Sequence, residues 1–155
     1  MKEKTTLVIC ILLVAVIAGF LLWYNLSLED YQLPFSTEEV VSVTMSISAS
    51  DWVEYKLIED QVQIQDLVNT INKSKVAADY DEQQDEVAPG ITVATIRFHM
   101  EDGTQIVFHS HNAFLGTIFS ADGASYKLYG FNGVRYWNQL DCEILTSLPT
   151  IPVEA

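Results

Sequence analysis

Residues Thr5 to Tyr24 read TTLVICILLVAVIAGFLLWY, without a charged side chain or a proline. At about 1.5 Å of rise per residue, a helix of this length covers roughly the hydrocarbon thickness of a bilayer. That stretch constrains the rest of the chain to a polar domain tethered at one end to a membrane. Lys2 and Lys4 precede it, and the next Lys or Arg is Lys56. Short basic flanks stay in the cytoplasm. The sequence therefore predicts a cytoplasmic tail 1–4, a transmembrane signal anchor 5–24, and a C-terminal domain outside the cell membrane. Trp23 and Tyr24 close the apolar run where aromatic rings favour the interface.

A cleaved signal peptide is the competing reading, with small residues offered around Val16-Ile17-Ala18. Cleavage there leaves Phe20 to Tyr24 as an exposed apolar end, and signal h-regions are usually shorter than this run. Leu7-Val8-Ile9-Cys10 departs from a lipobox, because Ile9 is large and the apolar run continues past Cys10.

Charge narrows the partners. The chain carries 8 Lys and Arg against 21 Asp and Glu, a net charge of −13. With Lys2, Glu3 and Lys4 set aside, 6 bases face 20 acids, a net of −14. Nucleic-acid binding needs a basic surface to displace counterions and is excluded. The same balance argues against a domain lying flat on anionic lipid. Cys10 sits in the apolar run and Cys142 in the domain, so the domain folds without an internal disulfide. Cys142 reads as a small buried hydrophobe.

Residues 25–38 read as a juxtamembrane spacer, broken by Pro34. Val41, Val43, Met45 and Ile47 alternate with polar residues, and Val53, Tyr55 and Leu57 alternate again beyond Ala49-Ser50-Asp51, which predicts a hairpin. Asp60 with Gln63 opens a helix over Gln61–Lys73, whose stripe is Ile64, Leu67, Val68 and Ile71. Asp79 to Gly90 is an acidic loop. Ile91–Met100 is a strand. A Glu101-Asp102-Gly103 turn with Gly103 left-handed then pairs Phe98 with Ile106 and Ile96 with Phe108, keeping all the apolar groups on one face. Ala121-Asp122-Gly123 repeats that chemistry between Thr117–Ser120 and Ser125–Tyr129. A last helix over Val134–Ser147 carries Trp137, Leu140, Ile144 and Leu148, and Pro149 ends it. The expected fold is α+β: about six antiparallel strands and two helices over 39–148, in the order ββαββββα, with a tail at 149–155.

Few residues suggest chemistry. His109 and His111 stand two apart on a strand, so both point to one face, opposite the core with Arg97 and His99. A His-x-His pair can give zinc two ligands, but a third is missing. Asp79, Asp81, Glu82, Asp85 and Glu86 crowd the acidic loop without the glycine and spacing of an EF-hand. No Gly-x-Ser-x-Gly elbow and no phosphate-cradling glycine loop occurs. No cofactor is expected. Tyr129 and Tyr136, if exposed together, make a partner-binding patch. Asn25-Leu26-Ser27 and Asn72-Lys73-Ser74 match a glycosylation sequon, which matters only in a eukaryotic secretory route.

The basic tail, single anchor and acidic domain, with the helix running from Ile58-Glu59-Asp60 to Ile71-Asn72, resemble small single-pass cell-envelope proteins of Gram-positive bacteria. The resemblance implies a location and no functional residues. The expected role is a membrane-anchored, non-enzymatic binding or protein-interaction module with a partner in the cell envelope. Two alternatives stand beside it. One is a metal-dependent or hydrolytic enzyme using the His109/His111 face. The other is a structural accessory subunit of a membrane complex.

Overall fold

The Asp60 side chain accepts hydrogen bonds from the Val62 and Gln63 N–H groups, and the helix it caps, α2, spans Gln61–Asn72. Its stripe of Ile64, Leu67, Val68 and Ile71 is fully buried. Gln63 does not reach back to complete a capping box. Its Oε1 accepts instead from the Cys142 thiol, 3.6 Å away, so Cys142 packs half-buried against the core.

A computed structural model describes residues 2–49, 52–77, 92–113, 116–121 and 124–149. The first element, α1 (Lys2–Leu26), is the apolar helix; its window Thr6–Tyr24 is long and apolar enough to cross a membrane, and none of it is buried in the domain. The strands are β1 (Leu28–Asp30), β2 (Val40–Ala49), β3 (Trp52–Ile58), β4 (Lys75–Ala77), β5 (Val93–Met100), β6 (Gln105–Ala113), β7 (Gly116–Ala121) and β8 (Ala124–Tyr129). They form one antiparallel sheet in the order β1-β4-β8-β7-β6-β5-β2-β3. A short third helix, α3 (Gly133–Gln139), follows the sheet. Both α2 and α3 lie on the same face, against β2, β5 and β6. The core is Val43, Met45, Ile96, Phe98 and Phe108 beneath the α2 stripe and Trp137.

The architecture is α+β as expected, with eight strands in place of about six. The additional strands, β1 and β4, have three residues each, too few to show a period. They also change the reading of 25–38. β1 pairs with β4, Tyr31 and Leu33 enter the core, and the Leu33 N–H donates to Asn72 Oδ1 at 2.8 Å. That segment is part of the domain rather than a spacer.

The central hairpin has the expected register: Phe98 opposite Ile106, Ile96 opposite Phe108, and Gly103 at φ 80 in the turn. Two other registers differ. Ser120 pairs with Ser125 and Ala121 with Ala124, so the β7–β8 loop is the two residues 122–123, which lie outside the described residues. On β3, Val43 faces Ile58 and Met45 faces Lys56, which sends Val53, Tyr55 and Leu57 to the face away from the helices.

Lys56 is therefore a buried base, only 5% exposed, on the core side. Its ammonium donates to the Trp137 and Leu140 carbonyls at 2.9 and 2.6 Å and lies 4.2 Å from the centre of the Trp137 ring. A cation suits these terminal carbonyls, where the helix dipole is negative. The contact caps α3, which stops at Gln139 and not at Ser147: the Leu140 backbone is already extended, and the Leu145 backbone exchanges hydrogen bonds with Tyr55 at the sheet edge. Ile144 and Leu148, read as helical stripe residues, are about half exposed.

Lys56→Met keeps the aliphatic stem and removes the donor. The expected result is a loss of about 2 kcal/mol in denaturant unfolding, since buried carbonyls lose a charged partner. A gain in stability would mean that desolvation of the ammonium outweighs its hydrogen bonds.

Candidate functional site

Two surfaces carry the polar side chains that the core leaves unused, one on each face of the sheet. The first lies beside α3. Gly130, at φ +112, turns the chain out of β8, and the Asn132 Oδ1 accepts the Arg135 N–H at 2.8 Å to start the helix. Gly133 rests directly on Ser110, whose Oγ accepts its N–H at 3.2 Å. A Cβ at position 133 would meet Ser110 Oγ at 2.7 Å, so only glycine allows this approach. It seats α3 over β5 and β6, beside a gap toward α2 and the β7–β8 hairpin.

That gap is an open cleft of about 520 Å³. Leu128 and Phe131 are among its lining, while Thr70, Asn132, Arg135, Tyr136 and Gln139 supply polar groups. The Tyr136 O–H donates to Asp66 Oδ2 at 2.9 Å, tying α3 to α2. Burial, and then the Asp66 carboxylate, push the Tyr136 phenol far above its ordinary range. Among the described residues no carboxylate pairs with the Arg135 guanidinium. The cleft thus offers one cation, two carboxamides and hydroxyls beside apolar contacts. This set can hold a polar ligand that bears an anionic group. Among the described residues no histidine or cysteine lines it, and no nucleophile–base pair of the Ser–His or Cys–His kind stands there.

The second surface is the face of the sheet turned away from α2 and α3. Strand pairing places Ser42, Thr44, Thr95, Arg97, His99, His109, His111, Lys127 and Tyr129 there. His109 and His111 do share this face, as their spacing requires. His109 Nδ1 lies 3.1 Å from Thr95 Oγ1, and His99 Nε2 lies 3.0 Å from Thr44 Oγ1. Burial, then the neighbouring Arg97 charge, lower the His99 pKa. Among the described residues no three His, Cys, Asp or Glu side chains come together as a metal site. The acidic-loop residues Asp79, Asp81, Glu82, Asp85 and Glu86 lie outside the described residues.

Tyr129 and Tyr136 do not form one patch. Tyr136 is on α3 at the cleft, and Tyr129 is on the opposite face of β8. Tyr129 instead meets the end of α1: the Tyr24 O–H donates to its oxygen at 2.7 Å, with the rings edge to face. Sequence reading missed Arg135 and Asn132, because α3 meets the sequence-distant Asp66 and Thr70 of α2 only in the fold, and the cleft exists only in three dimensions. The signal within reach was Asn132 as a helix cap.

No family model, curated protein or solved structure matches the chain.

Tyr31, packed 5.3 Å from the Tyr126 ring, has its phenol pushed up to about 12 by burial and by Tyr126. Unfolded phenols titrate near 10. The fold therefore retains a proton that the unfolded chain releases, so stability is full below about pH 10 and falls as pH rises toward 12. Denaturation midpoints should decline over that window, and Tyr31→Phe should flatten the decline. An unchanged slope in Tyr31→Phe would place the sensitive group elsewhere.

Proposed function

We propose that this chain is a single-pass membrane protein holding a non-enzymatic binding module outside the cytoplasm, with the cleft between α2 and α3 as its ligand site. The carrying observation is Arg135, without a carboxylate partner among the described residues, beside a polar-lined cleft in a domain of net charge −14. An acidic protein has ample carboxylates to neutralise a surface arginine. One left without such a partner, flanked by Asn132 and Gln139, fits recognition of an anionic group by a guanidinium fork. Leu128 and Phe131 would meet the apolar part of the same ligand.

The membrane half of the reading is supported by α1. Leu7, Leu12, Val16, Phe20 and Trp23 are all more than half exposed around the helix, which is stable only in lipid or after removal. The basic Lys2 and Lys4 ahead of it favour a cytoplasmic N-terminus.

The test uses short acetylated dipeptides with free or amidated C-termini, added to the full chain in detergent. Free carboxylates should shift the Asn132 side-chain amide resonance in the NMR spectrum, amides should not, and Arg135→Gln should abolish the effect. Equal shifts with both peptide forms would contradict a charge-reading cleft. Protease added to intact cells should remove the domain; a protected domain would reverse the orientation.

A further inference from the structure

The bases of the domain are not spread over its surface. Of the six Lys and Arg after the anchor, Lys56 is in the core, Lys73 ends α2 and Arg135 is at the cleft. The other three, Lys75, Arg97 and Lys127, share the sheet face away from the helices, together with all three histidines of the chain. Among the described strand residues, Asp30 is the one carboxylate on that face, and Lys75 pairs with it at 2.5 Å. Arg97 has no carboxylate partner among the described residues. A strongly acidic domain thus turns one face of opposite character outward, where β2 contributes Ser and Thr side chains, Ser42 and Thr44 of them buried beneath their neighbours.

The anchor meets the same face. Tyr24, in the last turns of α1, bonds to Tyr129, which lies on the same side of β8 as Lys127. One residue, Ser27, separates α1 from β1. The helix ahead of Tyr24 has no residue buried in the domain. It therefore leaves the domain at once, from the side of the basic face.

We propose that this sheet face is a docking surface for the anionic headgroups of the membrane that holds the anchor, with Arg97 at its centre. The proposal rests on reading α1 as a membrane anchor. Net charge alone argues the opposite, but electrostatic attraction to a headgroup layer falls off within a screening length of about 8–10 Å. The lipid therefore senses the near face, and the acids on the helix side lie beyond that reach. A face held in this way would point the α2–α3 cleft away from the bilayer.

The full chain, with Cys10→Ser and Cys142→Ser, is reconstituted into lipid nanodiscs with a fluorophore at Ser46→Cys, on the sheet face, or at Val62→Cys, on the exposed side of α2. The discs are phosphatidylcholine alone or mixed with phosphatidylglycerol, and both carry a headgroup nitroxide as quencher. With phosphatidylglycerol the Ser46 probe should be quenched about twofold more than the Val62 probe. The difference should shrink near 1 M salt, where the screening length is about 3 Å. Arg97→Gln should reduce it as well. Equal quenching at both positions, or a difference indifferent to phosphatidylglycerol and salt, would overturn the proposal. A chain that never enters the discs, seen by size exclusion, would remove the anchor reading and the proposal with it.

Discussion

One face of β2, β5 and β6 is dry, and almost every other feature follows from which face that is. The register is held by the Glu101-Asp102-Gly103 turn, where Gly103 adopts φ 80 and sets Phe98 against Ile106. A slip of one residue would pair Phe98 with Val107, send Ile106 and Phe108 to the wet side and bring Val107 and His109 inward. Burying such apolar side chains stabilises by roughly 1.5–3 kcal/mol each, so the slipped alternative is far out of reach. The dry face then calls for cover, which the stripe of α2 and the Trp137 side of α3 provide.

Separation of the faces also separates the charges. Among the described residues the interior holds a single base, Lys56, whose ammonium donates hydrogen bonds to the carbonyls ending α3 and lies over the Trp137 ring. That contact caps α3, and the close seat of Gly133 on Ser110 sets the helix low on the sheet. Between this short helix and α2 a cleft remains, bridged by the Tyr136–Asp66 hydrogen bond. On the wet face, bases and imidazoles gather beside the end of α1.

Elements with local signals were legible in the sequence. The α2 stripe, its Asp60 cap and the β5–β6 register depend on spacings of three, four and two residues and on one glycine. What escaped depends on sequence-distant neighbours. β1 is a strand because it pairs with β4 across 45 residues, as in the Asp30–Lys75 contact, and β4 in turn lies between β1 and the distant β8. Lys56 is a core residue because it lies opposite Met45 on a neighbouring strand. Trp137, Leu140, Ile144 and Leu148 keep a helical period that the chain abandons at Leu140, where the backbone is extended. Likewise, His109 and His111 were rightly placed on one face, but nothing local revealed Arg135, whose cleft is assembled from α2, α3 and the β7–β8 hairpin.

Cysteine alkylation along β5 and β6 tests the two-faced sheet most directly. In the full chain lacking Cys10 and Cys142, Thr95→Cys and His109→Cys should react readily, while Ala94→Cys and Ser110→Cys, at 0% exposure in the parent residues, should be protected by an order of magnitude or more. Alternation in the opposite phase, or equal reactivity at all four positions, would contradict the register on which the core, the cleft and the basic face all depend.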